Sequence, residues 1–201
     1  MSPEGVGPGA TAVGIKIKDG VILAAEKRVS YGGYILSKTG RKVFKISDRI
    51  AIAAAGLFAD MQTIARILSA EVMYRELLTS MPMSVKAAAK LLSSILYRYK
   101  SYPFLSEILL GGIDEEGTHL FVLDPVGSVI EDNYAAIGTG ATIAIGIIES
   151  RYSVNMSIEE AVRLAIDAIK AASLRDAVSG DGIDIAVVDR NGVREEFVPL
   201  A

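Results

Sequence analysis

The chain has 201 residues, a formal net charge of -3, a pI near 5.3, one histidine, and neither cysteine nor tryptophan. That length is typical of one domain with a single substantial core. The lack of cysteine excludes a disulfide framework and a thiolate metal site, the lone His119 leaves little for metal or histidine-triad chemistry, and the acidic balance argues against a nucleic-acid-binding protein.

The sequence is rich in apolar residues, which make up 51% of it, and its mean hydropathy is +0.38. No uncharged apolar run approaches the roughly 18 residues that a membrane span needs, so the excess predicts buried subunit interfaces and no membrane contact. The first residues lack a basic stretch followed by an apolar one. We therefore expect no secretory signal and a cytoplasmic location.

The first third of the chain is predicted to be mostly sheet. Apolar runs at 11–17 and 21–26 flank Lys18-Asp19-Gly20, whose Asp-Gly pair predicts an antiparallel hairpin. Further along come a turn signal at 31–34 and strands at 43–46 and 50–55, the last of which ends at Gly56.

Two helices and then a second group of strands are predicted in the middle of the chain. Apolar residues recur at helical spacing from Asp60 to Leu78 and again from Val85 to Tyr99, where Ser84 can act as the N-cap. Turn signals then separate three antiparallel strands, at 105–111, 118–123 and 128–131.

The last third combines a short strand, two helices and a hairpin. A strand at 134–137 leads into Gly138-Thr139-Gly140 and a helix to about residue 150. Ser157 and Glu160 form a capping-box pattern that opens a helix reaching about residue 174. Strands at 183–188 and 193–198, joined at Asn191-Gly192, close the chain.

The order of these elements predicts the fold class. Strands come in blocks and helices in pairs, which argues against a parallel sheet with alternating helices. We predict an α+β fold, a four-layer α/β/β/α sandwich of two antiparallel sheets with helices on their outer faces. Residues 1–10 are expected to be a leader, and residues 11–201 a single domain.

The junction between leader and domain, Gly9-Ala10-Thr11, carries a possible chemistry. A threonine freed at a new amino terminus combines a nucleophile and a base, because its hydroxyl attacks a carbonyl while its own α-amine, with a pKa of about 7.7–8.0, takes the proton. Taken alone, the same residues are usually just the start of a strand.

Several runs of residues, taken with the order of elements, resemble one known family. They are Ala12-Val13-Gly14-Ile15, the run from Asp19 to Arg28, Lys42 before a strand, Gly56 after an apolar strand, Gly111-Gly112, Gly138-Thr139-Gly140 and the run from Arg175 to Gly182. This set resembles the proteasome β subunits of the N-terminal nucleophile hydrolase superfamily, the archaeal type above all.

The resemblance implies an active site. Lys42 matches the lysine that supports the terminal threonine, and Glu26 occupies the position of an aspartate that pairs with it. Gly56 matches the residue whose N–H stabilises the oxyanion. Asp176 and Ser179 match the pair that orients the terminal amine, and Thr139 stands where the family commonly has serine. The implied substrate pocket is lined by Val29, Gly40, Ala54 and Phe58.

The resemblance also implies partners. It predicts other β subunits and α subunits in stacked heptameric rings, a regulatory ATPase reached through the α rings, unfolded polypeptide substrates, and no cofactor or metal. The implied chain is a zymogen that removes its leader by autocatalytic cleavage, after which it acts as a threonine-type endopeptidase.

One position departs from the family. Counting back from Val13-Gly14, the nucleophilic threonine falls on Ala10, which has no hydroxyl. In this register the chain cannot cut itself after Gly9 and is silent or depends on a partner. The alternative is cleavage after Ala10, with Thr11 as nucleophile. Because strand side chains alternate, that shift turns the hydroxyl to the other face unless a bulge restores it.

Other interpretations of these residues are also compatible with the sequence. Lys42 and Glu26 alone could be a partly exposed ion pair, Gly56 a helix-entry glycine, and Asp176 with Ser179 a loop cap. A free-standing N-terminal nucleophile amidase is a second function, and a phosphate-binding module at Gly138-Thr139-Gly140 is a third.

Overall fold

The structure is a computed structural model that describes residues 9–31 and 34–200. Residues 1–8 of the predicted leader and two residues of the turn signal at 31–34 lie outside that range. The elements are β1 (Thr11–Ile17), β2 (Gly20–Glu26), β3 (Val29–Tyr31), β4 (Tyr34–Ser37), β5 (Val43–Lys45), β6 (Ile50–Gly56), α1 (Phe58–Thr79), α2 (Val85–Arg98), β7 (Ser106–Asp114), β8 (Gly117–Leu123), β9 (Val129–Glu131), β10 (Tyr134–Gly138), α3 (Ala141–Arg151), α4 (Ile158–Ser173), β11 (Ile183–Asp189) and β12 (Gly192–Val198).

Two five-stranded sheets form the centre of the described structure. The first has the order β10-β1-β2-β11-β12 and the second the order β5-β6-β7-β8-β9, while β3 and β4 form a small separate hairpin. Every pairing is antiparallel. The predicted sandwich of two antiparallel sheets is therefore confirmed.

Two apolar clusters hold the layers together. One contains the inward side chains of both sheets and the buried face of α1 and α2. The other joins the outer face of the first sheet to α3 and α4. The sheets approach closely, because a Cβ on Gly14 would lie 2.7 Å from Leu120 Cδ1 and one on Gly111 would lie 2.7 Å from Val21 Cγ1.

The helix ends follow the sequence signals with one difference. Ser84 caps α2 by accepting the N–H of Ala87, and Ser157 with Glu160 forms the predicted capping box of α4. The start of α1 was predicted at Asp60, but α1 begins at Phe58 without any side-chain cap. The acidic residue that marked the start is instead part of the first helical turn. Across the described residues, no helix is long and apolar enough to cross a membrane.

The pairing of β10 is what places the candidate site. This strand follows the β7-β8-β9 meander in sequence, yet it leaves that sheet and pairs with β1, so that Thr11 lies opposite Gly138. Sequence periodicity predicted the strand but not its partner, because a pattern of apolar residues specifies a buried strand without naming its neighbour. The crossover brings Gly138-Thr139-Gly140 to the start of β1.

The capping box of α4 gives a stability prediction. Replacing Ser157→Ala removes the side chain that accepts the Glu160 N–H at 3.2 Å, so we expect the free energy of unfolding to fall by about 1 kcal/mol. Denaturant titration measures this difference. Ser94→Ala is the matched control, because that hydroxyl lies within α2 and bonds only to the Lys90 carbonyl. An equal loss in both variants would contradict a capping role.

Candidate active site

The chain enters the site through three buried residues, Gly9, Ala10 and Thr11. The β1–β10 pairing continues one step beyond the strand, since the N–H of Thr139 donates to the Ala10 carbonyl at 2.9 Å. Gly138 has φ of +89°, and a Cβ there would overlap that same carbonyl oxygen. Only a glycine therefore allows the two backbones to come this close.

The side chains of Ala10 and Thr11 lie on opposite faces of β1. Ala10, like Ala12, belongs to the apolar cluster between the two sheets. The Thr11 hydroxyl points to the other side, where its Oγ1 lies 2.7 Å from Ser179 Oγ. A Cβ on Gly140 would overlap the Thr11 hydroxyl oxygen, so the close approach of this glycine encloses it.

A chain of hydroxyls leads from Thr11 to a carboxylate. Ser179 Oγ donates to Asp176 Oδ2 at 2.7 Å, and Thr139 Oγ1 donates to the same oxygen at 2.6 Å. Because the one proton of Ser179 is used in this way, the Thr11 hydroxyl must donate to Ser179 Oγ. Asp176, Ser179 and Thr139 are thus brought together around Thr11.

A buried ion pair lies on the amide side of Thr11. Lys42 and Glu26 are both almost fully buried, and the Lys42 ammonium donates to Glu26 Oε1. It also donates to the Arg28 carbonyl at 2.6 Å. The Thr11 N–H is 3.4 Å from Glu26 Oε1, so the ion pair meets the backbone of Thr11 and not its hydroxyl.

Backbone donors complete the environment of Glu26. Its second carboxylate oxygen accepts the N–H of Arg28 at 2.7 Å and the N–H of Gly180 at 3.0 Å. Desolvation by burial raises the pKa of Glu26, against the lowering effect of Lys42 and these N–H groups. Burial likewise lowers the pKa of Lys42, against the effect of Glu26. A lysine shifted in this direction gives up its proton more easily and is suited to proton transfer.

Gly56 ends β6 near the start of β1. It has φ of +132°, and a Cβ there would overlap the Leu105 carbonyl oxygen. The preceding residue, Ala55, is close to Gly138, since a Cβ on Gly138 would lie 2.8 Å from Ala55 Cβ. Gly56 therefore follows directly on a strand residue that packs at the start of β1.

Three of the four predicted pocket residues form one contact group. A Cβ on Gly40 would overlap Val29 Cγ2 and would lie 3.3 Å from Phe58 Cε2. The fourth, Ala54, donates its N–H to the Lys42 carbonyl at 2.9 Å. The absence of a side chain at Gly40 allows the connection between β4 and β5 to pack against Val29 and the start of α1.

No cluster of metal-binding side chains is apparent in the part of the chain that the structure describes. There, no group of three His, Asp or Glu side chains is arranged to hold a metal ion. The polar groups that meet at the start of β1 are hydroxyls, carboxylates, an ammonium and backbone amides, which are the groups of acid–base and nucleophilic chemistry.

A model of the family described as "Proteasome subunit" matches residues 6–188. The chain belongs to this family. "Proteasome subunit beta 2" of Pyrobaculum calidifontis is 58% identical over 197 residues, covering 98% of this chain and 97% of the relative. "Proteasome subunit beta 1" of Hyperthermus butylicus is 60% identical over 185 residues, covering 92% of this chain and 91% of the relative. The resemblance seen in the sequence is confirmed.

Sequence reasoning missed part of the candidate site. Arg28 contacts both Lys42 and Glu26 through its backbone, Gly180 donates its N–H to Glu26, and Gly140 encloses the Thr11 hydroxyl. All three lie in runs that carry the resemblance, which was the available signal. Backbone N–H donors and close backbone contacts leave no pattern of side chains in the sequence. The roles of these three residues could therefore be recognised only in the structure.

The ion pair gives a prediction that depends on pH. Replacing Lys42→Met leaves the Glu26 carboxylate buried without its counter-ion, so we expect a loss of about 3–5 kcal/mol in the free energy of unfolding at neutral pH. Without Lys42, the pKa of Glu26 in the folded chain rises further above its unfolded value, which is about 4.3. A raised folded pKa favours the folded state below the unfolded value and disfavours it as pH rises. The deficit should therefore grow from about pH 4 upward.

Denaturant titrations between pH 4 and 8 measure that deficit. Lys27→Met is the matched control, because it removes the Lys27–Asp184 pair at 2.6 Å, whose side chains remain 14% and 18% exposed. The double variant Glu26→Gln/Lys42→Met removes both charges and should recover most of the loss. A deficit in Lys42→Met that does not change with pH would contradict the assignment to Glu26.

Proposed function

We propose that this chain is a β subunit of the proteasome core particle with a silent or partner-dependent site. It takes part in the degradation of proteins by threonine-type endopeptidase chemistry, in a pathway that depends on ATP. Two relatives named as proteasome β subunits, each matching over nine-tenths of the chain, support this assignment. The silent site follows from the position of Ala10.

The observation that carries the proposal is the direction of two neighbouring side chains. Ala10 presents a methyl group to the space between the sheets, and Thr11 directs its hydroxyl to Ser179 on the helix side. The Lys42 ammonium is bonded to Glu26 and to the Arg28 carbonyl. Thr11 therefore offers its oxygen to a different set of groups from the one that includes the lysine.

A second candidate, cleavage after Ala10 with Thr11 as nucleophile, has an observation in its favour. The Thr11 hydroxyl already donates into a chain that ends on Asp176, and its amide lies beside Glu26. Those groups would hold a freed α-amine and accept a proton. This alternative requires the Lys42 ammonium to change partners, and so we rank it second. No observation favours a free-standing amidase.

Membership of the family implies assembly with other proteasome subunits, and we propose the specific partners. They are α subunits and other β subunits in stacked heptameric rings, with a regulatory ATPase acting through the α rings on unfolded polypeptides in the cytoplasm. Large apolar side chains exposed on the chain suit such interfaces. The most exposed are Tyr31, Tyr34, Leu36, Leu77, Leu78, Met81, Tyr102 and Leu174.

The register of the site is tested by restoring a hydroxyl at position 10. We expect Ala10→Thr to lose residues 1–9 and to hydrolyse peptides, because loss of a catalytic nucleophile typically removes a factor on the order of 10⁶ in turnover. The variant is assembled with α subunits and a second β type whose own nucleophile has been replaced. Intact mass and hydrolysis of a fluorogenic peptide are measured on that particle.

Ala10→Val is the matched control, since valine has the shape of threonine without its hydroxyl. It should stay uncut and inactive, which separates chemistry from packing at this buried position. A wild-type chain whose mature end is Thr11, together with loss of hydrolysis in Thr11→Val, would overturn the silent assignment in favour of the second candidate.

The assignment to the core particle is tested by assembly. The chain expressed with α subunits and a second β type should elute from gel filtration in a particle of many subunits, and native mass spectrometry should find it in every particle. The high apolar content supports this outcome. A chain that remains a monomer in the presence of these partners would contradict the proposal.

A further inference from the structure

Arg28 lies between the two halves of the candidate site, which are the hydroxyl chain from Thr11 to Asp176 and the ion pair of Lys42 and Glu26. Its backbone N–H donates to Glu26 Oε2 at 2.7 Å, and its carbonyl accepts from Lys42 Nζ at 2.6 Å. These bonds belong to the backbone and do not depend on which side chain is present. The arginine side chain is therefore free to make a separate set of contacts.

That side chain reaches the loop that follows α4. Arg28 Nε donates to Asp181 Oδ2 at 2.7 Å, and Nη1 donates to the Ala177 carbonyl at 2.8 Å. The remaining nitrogen packs against Gly180, since a Cβ on that glycine would lie 2.6 Å from Nη2. The guanidinium thus contacts the loop at three points, which its planar fork allows and a lysine ammonium does not.

Asp181 is held as the partner of this arginine. Its backbone has φ of +69°, a left-handed conformation that is uncommon for a residue other than glycine. The Arg28 guanidinium keeps the pKa of Asp181 below its ordinary value, and Lys38 lies 3.7 Å from its other oxygen. The side chains of Arg28 and Asp181 are only 20% and 12% exposed, so water screens the pair weakly.

The loop between Ala177 and Asp181 carries two of the polar groups of the site. Ser179 Oγ accepts the Thr11 hydroxyl, and the Gly180 N–H donates to Glu26 at 3.0 Å. The Gly180 carbonyl in turn accepts the Lys27 N–H at 3.2 Å. Neither Ser179 nor Gly180 is part of a helix or strand, so the positions of both depend on the contacts that fix the loop.

We propose that Arg28 and Asp181 are positioning residues that hold the Ala177–Asp181 loop so that Ser179 and Gly180 meet the two halves of the site. Neither side chain touches the reacting atoms; both act through Ser179, Gly180 and Glu26. As a statement about catalysis, this inference rests on the proposed function. As a statement about the loop, it rests on the contacts alone, and the experiment treats the two separately.

The first measurement is hydrogen exchange of the loop in the assembled wild-type chain and two variants. Asp181→Asn removes the charge but tolerates the left-handed backbone, and Arg28→Lys keeps the charge but loses the fork. In both, we expect exchange in peptides spanning 176–182 to accelerate by about tenfold or more, as for the loss of a charge-assisted hydrogen bond. Peptides from β2 should be unchanged.

Asp184→Asn is the matched control for this measurement. It removes the neighbouring Lys27–Asp184 side-chain pair, which is similarly buried, and leaves in place the backbone N–H by which Lys27 bonds to the Gly180 carbonyl. Loop exchange in the control should equal that of wild type. If Arg28→Lys and Asp181→Asn exchange no faster than this control, the proposal is overturned. Because each end of the pair is changed separately, failure of one variant to fold leaves the other decisive.

The second measurement uses the Ala10→Thr chain in the particle described above. There, Arg28→Lys and Asp181→Asn should lower kcat by about 10- to 100-fold with KM unchanged. The reason is that a loosened loop would misplace Ser179 and Gly180, and a misplacement of about 1 Å can cost on the order of 10²-fold in rate. Faster loop exchange with an unchanged kcat would refute the positioning role. Inactivity of Ala10→Thr itself would instead refute the proposed register, and loop exchange would still decide the role of the pair.

Discussion

The buried pair of Lys42 and Glu26 constrains the arrangement of everything around the start of β1. Two opposite charges removed from water are tolerated only if they meet and if the remaining donors and acceptors are satisfied. Glu26 meets that condition with N–H groups from Arg28, Gly180 and Thr11. Segments far apart in sequence are therefore fixed relative to one another, namely the end of β2, the residue before β5, the loop after α4 and the entry of β1.

Close backbone approach provides the other half of this arrangement. Gly138 lies against the Ala10 carbonyl and Gly140 against the Thr11 hydroxyl, and in both places a Cβ would overlap an oxygen atom. These contacts depend on β10 leaving the second sheet to pair with β1. The hydroxyl chain through Ser179 to Asp176 then forms on the helix side of β1, away from the space between the sheets.

Much of this fold could be predicted from local patterns, and the exceptions have physical causes. The Asp-Gly hairpin after β1, the caps at Ser84 and Ser157 and the strand ends all depend on neighbouring residues. The partner of β10 could not be predicted in this way, because sheet pairing is non-local. For the site, strand alternation indicated that the side chains of Ala10 and Thr11 face opposite sides. The contacts of the Gly180 N–H and of the Arg28 guanidinium depend instead on where the backbone of the loop lies, which no sequence motif specifies.

The presence of the buried Lys42–Glu26 pair near an alanine at position 10 has a simple energetic explanation. Removing one member of a buried ion pair leaves an uncompensated charge and costs about 3–5 kcal/mol, so Lys42 and Glu26 stabilise the fold only as a pair. Ala10 is different, because its methyl group packs among apolar neighbours and no buried donor or acceptor depends on a hydroxyl there. On the proposed register, a nucleophile can therefore be absent from this position at little structural cost while the groups around it remain. An intact network of this kind is a property of the fold, and on the proposed register the side chain at position 10 decides whether the chemistry is present.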